Sequence, residues 1–211
     1  MMRLTFLGAP GAGKGTQAAF IAKRLNIPTI STGNILREAI KAETEVGLEA
    51  KLYVESGKLV PDEVIIGILD ERLAAPDCAN GFILDGVPRT LAQAVSIEAE
   101  GIVLDSVISL EIADEVIEER MTGRRVCSKC GASFHIKDNP STKGDICDVC
   151  DGELVMRADD APETVKQRLE VFHKTTEPLK NFYAERGLLR TVRADLSINE
   201  VTAAIEKALG V

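Results

Sequence analysis

Gly8-Ala-Pro-Gly-Ala-Gly-Lys-Gly-Thr16 is the stretch whose reading decides the fold. A short apolar run, Leu4 to Leu7, precedes it and reads as a buried parallel strand; Gln17 to Leu25 follows and reads as a helix. Strand, glycine-rich loop and helix form the context in which this spacing becomes a phosphate-binding loop. Glycines let backbone N–H groups crowd around phosphate oxygens, and the helix N-terminus adds a favourable dipole. Lys14 reaches terminal phosphates as a point charge. The residue after Lys14 is Gly15, and the hydroxyl comes one position later, at Thr16. The usual loop hydroxyl that ligates Mg²⁺ is therefore displaced, which leaves such a metal to water and a distant carboxylate. The bland alternative is a glycine-rich turn with no ligand.

Outward from the loop, Gly81 to Asp85 reads as the second clear core strand and Ser106 to Ile112 as the third. The former runs into Asp85-Gly86-Val87-Pro88-Arg89-Thr90. A carboxylate just past the C-terminal end of a parallel strand falls beside the phosphate loop, where ligands bind. A turn-forming Asp before Gly is the simpler reading, and the adjacent Arg89 argues against it. Thr90 to Ala99 reads as a helix, as does the stretch from Asp114, its expected cap, to Met121. Leu188 to Val192 reads as a last strand, and Ser197 as the cap of a closing helix, Ile198 to Leu209. Alternating strands and helices with short links imply a parallel sheet wrapped by helices.

Two stretches interrupt this rhythm. Thr29-Ile30 leads into Ser31-Thr32-Gly33-Asn34, a polar helix start, with short helices from Ile35 to Lys41 and Val46 to Ser56. Gly57 ends the second, and Asp62 is the expected cap of a helix from Glu63 to Leu73. Residues 31–60 thus read as a helical insertion between the first and second core strands. The second interruption runs from Val126 to Asp160, with no long periodic segment. It carries Cys127-Ser-Lys-Cys130 and Cys147-Asp-Val-Cys150, two CxxC pairs separated by sixteen residues. That is the spacing of a tetrahedral zinc site. So small and polar a fragment cannot bury a core of its own, and four thiolates leave no open position, so the ion would be structural. Disulfide pairing is the competing reading. His135 lies near but is not needed as a ligand. Helices then follow from Pro162 to His173 and from Thr175 to Glu185. Cys78, in a loop before Gly81, reads as inert and partly buried.

Composition bounds the partners. The 211 residues carry 33 acidic and 25 basic side chains, for a net charge of −8. This balance, with no basic stripe interleaved with aromatics, argues against nucleic-acid binding. No apolar run is long enough to span a membrane. One Arg and then strand-like residues at the N-terminus do not make a signal peptide, so a cytoplasmic location is expected, where paired cysteines favour metal over disulfide. No heptad pattern suggests assembly, so a monomer is expected.

Taken together, these motifs resemble the adenylate kinase family in its bacterial long-lid form with a zinc-bearing lid. The resemblance spans the whole chain. The loop at 8–16, Ser31-Thr32-Gly33, Asp85 to Thr90, Gly123-Arg124-Arg125, Arg157-Ala-Asp159-Asp160 and the helix bearing Arg168 occur in the family's order and spacing. It implies an α/β parallel-sheet P-loop nucleoside monophosphate kinase core made of residues 1–30, 61–123 and 162–211. An NMP-binding segment would span 31–60 and a zinc lid 124–161. It implies the reaction ATP + AMP ⇌ 2 ADP with Mg²⁺. Gly11, Ala12, Gly13, Lys14, Gly15 and Thr16 would hold ATP phosphates, with Arg120 and Arg124. Ser133, Phe134 and the stretch at Asp195 would touch its adenosine. Thr32, Arg37, Lys58, Leu59, Val60, Gly86, Val87, Pro88, Arg89 and Gln93 would hold AMP, with Arg157 and Arg168. Lys14, Arg89, Arg120, Arg124, Arg157 and Arg168 would clamp the transferring phosphoryl group. Asp85 would hold Mg²⁺ through water, and Cys127, Cys130, Cys147 and Cys150 would hold zinc.

Two residues depart from the family. Asn34 stands where Asp is usual, keeping the ability to cap a helix but losing a charge; Val87 replaces a Phe and would remove an aromatic wall from the AMP side. A related kinase acting on UMP or CMP, or using GTP, is the nearest alternative, with Thr32 and Gln93 favouring AMP by resemblance. A zinc-knuckle nucleic-acid binder that uses the nucleotide loop as a switch is opposed by the acidic balance and the lack of a basic, aromatic-rich stripe; a purely structural zinc protein would leave the loop and Asp85-Gly86 unexplained.

Overall fold

A computed structural model describes all of residues 1–211. Its centre is a five-stranded parallel sheet in the order β2-β3-β1-β4-β8. The strands are β1 (Met2–Gly8), β2 (Thr29–Ser31), β3 (Gly81–Asp85), β4 (Ser106–Glu111) and β8 (Leu189–Arg193). β1 lies in the middle, pairing β3 on one side and β4 on the other. The chain leaves β1 toward β2 and β3 and crosses back to β4, so the loop after β1 opens where the connections diverge.

Each face of the sheet has its own aliphatic layer. Leu4, Phe6, Ile83, Ile108 and Val192 meet α1 (Lys14–Leu25) and α9 (Ile198–Leu209) through Ile21, Val201 and Ile205. Leu7, Phe82, Leu84 and Val107 meet α4 (Asp62–Leu73), α5 (Leu91–Ala99) and α8 (Leu179–Glu185) through Leu69, Ile97 and Tyr183. Aliphatics buried on both faces are what a parallel sheet requires. A smaller cluster ties α6 (Asp114–Gly123) to α7 (Pro162–Val171) through Ile117, Met121, Val165 and Leu169.

The structure revises several sequence-based boundaries. Thr29–Ser31 is a true sheet strand, hydrogen-bonded in parallel to Ile83–Asp85. The helical insertion therefore lies between β2 and β3, and Gly81–Asp85 is the third strand in chain order. Three residues are too few to show alternation, so only pairing reveals them. α2 (Thr32–Lys41) starts three residues before the expected Ile35, with Ser31 as its N-cap. α3 (Glu45–Glu55) follows it. Asp62 and Asp114 are first helical residues after Pro61 and Ala113, not caps; there they complement the helix dipole. The helix expected from Thr175 divides into a π-helical segment, Phe172–Thr176, and α8 beyond Pro178. Ser197 does cap α9, in a capping box with Glu200.

The cysteine-bearing stretch is not irregular throughout. β5 (Arg124–Cys127), β6 (Ser133–His135) and β7 (Leu154–Val155) form a small antiparallel sheet in the order β6-β5-β7. Its buried apolar residues are Val126, Cys127, Cys147 and Leu154, the last three packed in one small cluster. No helix is long and apolar enough to cross a membrane.

Candidate active site

α1 begins at Lys14, so Lys14, Gly15 and Thr16 form its first turn. Gly13, the N-cap, sits at φ 94°, in the left-handed region where a side chain would strain the backbone. No side chain caps this helix start, so its orphan N–H groups remain available to an anion. Gly11 and Ala12 complete the loop, with Ala12 buried against the core. Lys14 folds over the loop and donates to the Gly8 and Ala9 carbonyls at 2.6 and 2.8 Å. Burial pushes its pKa down to about 7, with help from Arg89, Arg168 and Arg124 and opposition from Asp85. Asp85 ends β3 beside this turn: its Oδ2 lies 3.4 Å from where a Cβ on Gly15 would stand. Ser31 donates to the same oxygen at 3.3 Å.

One cavity continues from Lys14 across Thr32, Arg37, Lys58, Gly86, Arg89 and Gln93 to Arg168. Leu59, Val60 and Pro88 also face it. Thr32 and the Arg89 Nε both donate to the Gly86 carbonyl, at 3.2 and 2.8 Å. Asn34 does not cap α2; its Oδ1 accepts from Arg37 at 2.7 Å and holds that guanidinium over the cavity. Val87 corrects the sequence reading more sharply. Its side chain is wholly buried in the core rather than facing the cavity, and its carbonyl accepts from Thr5 at 2.7 Å. A Phe-to-Val change there alters core volume, not a pocket wall.

The opposite wall comes from the cysteine-bearing stretch and α7. Arg124 grips the Asp160 carboxylate with two nitrogens, Nε at 2.8 Å. Arg168 donates to the Asp159 carbonyl at 2.9 Å and lies 2.8 Å from its carboxylate and 3.4 Å from that of Asp160. Burial raises Asp159, but Arg168, Arg37, Arg157 and Arg124 outweigh it and hold the carboxyl below its usual range. The Arg157 Nε is buried without a partner. Burial, Arg124 and Arg37 push that guanidinium down to about 9. Lys41 of α2 donates to the Ser128 carbonyl at 2.9 Å, so the two walls touch across the cleft.

Arg120, Arg124, Arg157, Ser133, Phe134 and Asp195 do not line this cavity; of these, Arg124 and Arg157 lie within electrostatic reach of Arg37, which does. Ser133 and Phe134 are on β6, with Phe134 packed beside the cysteines. Asp195 pairs with Arg193 at 2.6 Å; Arg193 chiefly, and Arg120 more weakly, hold its carboxyl below the usual range. Sequence reading missed Asp159 and Asp160 as holders of arginines. Two consecutive carboxylates beside Arg157 were the available signal, since buried acids need cationic partners.

The four cysteine sulfurs lie within 4.8 Å of one another. Cys127 and Cys150 are 3.4 Å apart, Cys130 and Cys147 3.7 Å. Sulfurs about 2.3 Å from a tetrahedral ion stand about 3.8 Å apart, so the donor set fits zinc. All five cysteines are free thiols, against the disulfide alternative. Backbone N–H groups of Lys129, Cys130 and Val149 point at these sulfurs at 3.4 Å, supporting ligand charge. A Cβ on Gly152 would come within 2.7 Å of Cys127 Sγ, so only glycine fits there. His135 stays outside the cluster, its Nδ1 accepting from Lys137 and Asp138 N–H groups at 3.2 and 3.0 Å.

In a chain of net charge −8, this cleft gathers Lys14, Arg37, Arg89, Arg124, Arg157 and Arg168 within mutual electrostatic reach. So many half-desolvated cations beside an uncapped helix start suit several phosphates at once, and the geometry is that of a P-loop phosphotransferase working between two phosphorylated ligands. The sequence model described as Adenylate kinase matches residues 6–188. The chain is 53% identical over 214 residues to an adenylate kinase of Caldicellulosiruptor bescii, covering all of both chains. It is 50% identical over 212 residues to that of Carboxydothermus hydrogenoformans and 52% over 213 to that of Clostridium botulinum, each covering 99% of both chains. The chain belongs to the adenylate kinase family and is a nucleoside monophosphate kinase.

Proposed function

We propose that the chain catalyses ATP + AMP ⇌ 2 ADP with Mg²⁺, and so balances the adenine nucleotides. The observation that carries this reading is the convergence of cations from α1, α2, the turn after β3 and α7 on one cavity, with Arg124 and Arg157 of the cysteine-bearing stretch within electrostatic reach of them. Residues 1–30, 61–123 and 162–211 act as the frame, residues 31–60 as the acceptor segment and residues 124–161 as the lid. The loop at 11–16 holds the donor phosphates. Thr32, Arg37, residues 58–60, Gly86, Arg89 and Gln93 hold AMP. Val87 and Pro88 shape the turn between them. Ser133, Phe134 and the backbone near Asp195 border the donor adenosine.

An AMP phosphate oxygen is already ionised at neutral pH, so the attack needs no general base. Rate then comes from alignment and from neutralising charge on the transferring group. Lys14, Arg89, Arg120, Arg124, Arg157 and Arg168 supply that neutralisation. Mg²⁺, when bound with ATP and held through water by Asp85, adds further positive charge. Closure of the lid onto residues 31–60, as in the Lys41–Ser128 contact, excludes water that would otherwise accept the phosphoryl group. Zinc on Cys127, Cys130, Cys147 and Cys150 keeps the lid folded. A monomer holds every residue this scheme uses.

The test is phosphorylation of AMP, UMP, CMP and GMP side by side with ATP or GTP as donor. ADP from AMP and ATP, with the other pairs far slower, is the expected result. Preference for a pyrimidine acceptor would overturn the roles of Thr32 and Gln93. No transfer from a folded, zinc-loaded sample would overturn the reading as a whole.

A further inference from the structure

Gln93 lines the acceptor end of the cavity yet is almost wholly buried, and both ends of its amide are engaged. Its Oε1 accepts from the Arg89 N–H at 2.7 Å. Its Nε2 donates to Asp62 Oδ1 at 2.7 Å. The other Asp62 oxygen accepts from Thr90 Oγ1 at 3.0 Å, and Thr90 Oγ1 in turn accepts from the Gln93 N–H at 3.1 Å. Asp62 is the first residue of α4, where residues 31–60 rejoin the frame. Asp62, Thr90, Gln93 and Arg89 thus form a closed ring joining the starts of α4 and α5.

A carboxylate only accepts and a backbone N–H only donates. The amide of Gln93 can therefore sit only one way round: turned over, it would set donor against donor at Arg89 and acceptor against acceptor at Asp62. In the permitted orientation, one Oε1 lone pair and one Nε2 hydrogen remain for a ligand. That pair matches a 6-aminopurine, which offers an exocyclic N–H and a ring nitrogen acceptor. It opposes a 6-oxopurine, which offers the reverse.

We infer that Asp62 is a specificity-determining positioning residue: by locking the amide polarity of Gln93, it makes the acceptor site select 6-amino over 6-oxo purine monophosphates. The inference rests on the reading of Gln93 as a contact to the acceptor base. A site whose buried polar groups are committed in one orientation rejects the mismatched partner, because those groups would be left unpaired.

The experiment measures kcat/KM for AMP and for IMP, at saturating ATP, in Asp62→Leu, Asp62→Asn, Gln93→Leu and the double variant Asp62→Leu/Gln93→Leu. Asp62→Leu should lower the AMP-to-IMP preference about tenfold, mostly through acceptor KM, with KM for ATP unchanged. Asp62→Asn, which keeps an acceptor for Nε2, should restore the preference to within about threefold of the parent. In the Gln93→Leu background, Asp62→Leu should change the preference no further. Equal loss of AMP and IMP turnover in Asp62→Leu would make Asp62 a hinge anchor and overturn the inference. Collapse of the preference in Gln93→Leu but not in Asp62→Leu would overturn it while leaving the base contact intact. An unchanged preference in Gln93→Leu would overturn the base contact itself, and this inference with it. Circular dichroism melting shows which variants fold; should Asp62→Leu fail, Asp62→Ala takes its place in the same comparison.

Discussion

The sheet core and the lid are built on opposite physical principles. The core buries two layers of aliphatic side chains, Leu4, Phe6, Ile83 and Ile108 on one face and Leu7, Leu84, Val107 and Tyr183 on the other. Among apolar side chains the lid buries only Val126, Cys127, Cys147 and Leu154. Hydrophobic burial is non-directional and spread over many residues, so the core can lose one contact and persist. A metal concentrates stabilisation in four bonds, so the lid should be all or nothing. The arginines that the proposal assigns to the phosphates straddle the boundary: Arg89 belongs to the core, while Arg124 starts the lid's central strand, β5, and Arg157 follows β7 at the lid's exit. Under the proposed scheme function needs both kinds of stability at once, and a chelator should remove only the lid's.

The largest expected effect follows from the shared site. Arg168→Ala should lower turnover about 10³-fold with the core still folded, because Arg168 stands between Asp159, Asp160 and the cavity. Single-turnover kinetics checks this; a loss under tenfold would remove Arg168 from the reacting group. Asp160→Asn is next. Its wholly buried carboxylate is held by Arg124 and Arg168, and breaking such a pair costs about 3–5 kcal/mol. The loss should appear as faster proteolysis within residues 124–161, not as a lower global unfolding midpoint. Ile108→Ala should do the reverse, lowering global stability by about 3 kcal/mol in urea titration while the lid's protease sensitivity stays unchanged.

The pH dependence separates the regions more finely. Burial holds Lys14 down to about 7 in the folded protein, against an ordinary lysine value near 10.5 in the unfolded chain. The stability penalty of burying its charge is therefore fully present below pH 7 and is relieved as pH rises toward 10.5. Lys14→Met should flatten that rise. A polyphosphate favours the charged amine, so ATP binding at pH 8 should take up about one proton. Calorimetry in buffers of different ionisation enthalpy reads this directly, and no uptake would contradict it. The smallest effects should come from the two departures from the family. Val87→Phe should destabilise the core by about 1–3 kcal/mol through overpacking unless neighbours yield, with acceptor KM hardly moved. Asn34→Asp adds an exposed charge beside Arg37, which should change AMP affinity less than about fivefold.

Legibility from sequence followed the same division. The phosphate loop, β3 with Asp85, and the cysteine pairs were readable because each couples a local pattern to a chemical need. β2 was not, since three residues gain strand character only from pairing with Ile83–Asp85. The lid strands escaped because their partners are set by the knuckles and not by hydrophobic alternation. Val87 was misplaced for another reason: a motif names the residues around a ligand without saying which way each side chain points. Asp62 was legible only as a helix start. Its bonds to Thr90 and Gln93 join residues 28 and 31 positions apart, which no local window contains.

Hydrogen exchange by mass spectrometry, on the full chain before and after removal of zinc under reducing conditions, tests the division most directly. Amides within residues 124–161 should lose protection, while those of β1, β3 and β4 keep theirs. Equal loss of protection in lid and core, or none in the lid, would contradict the account.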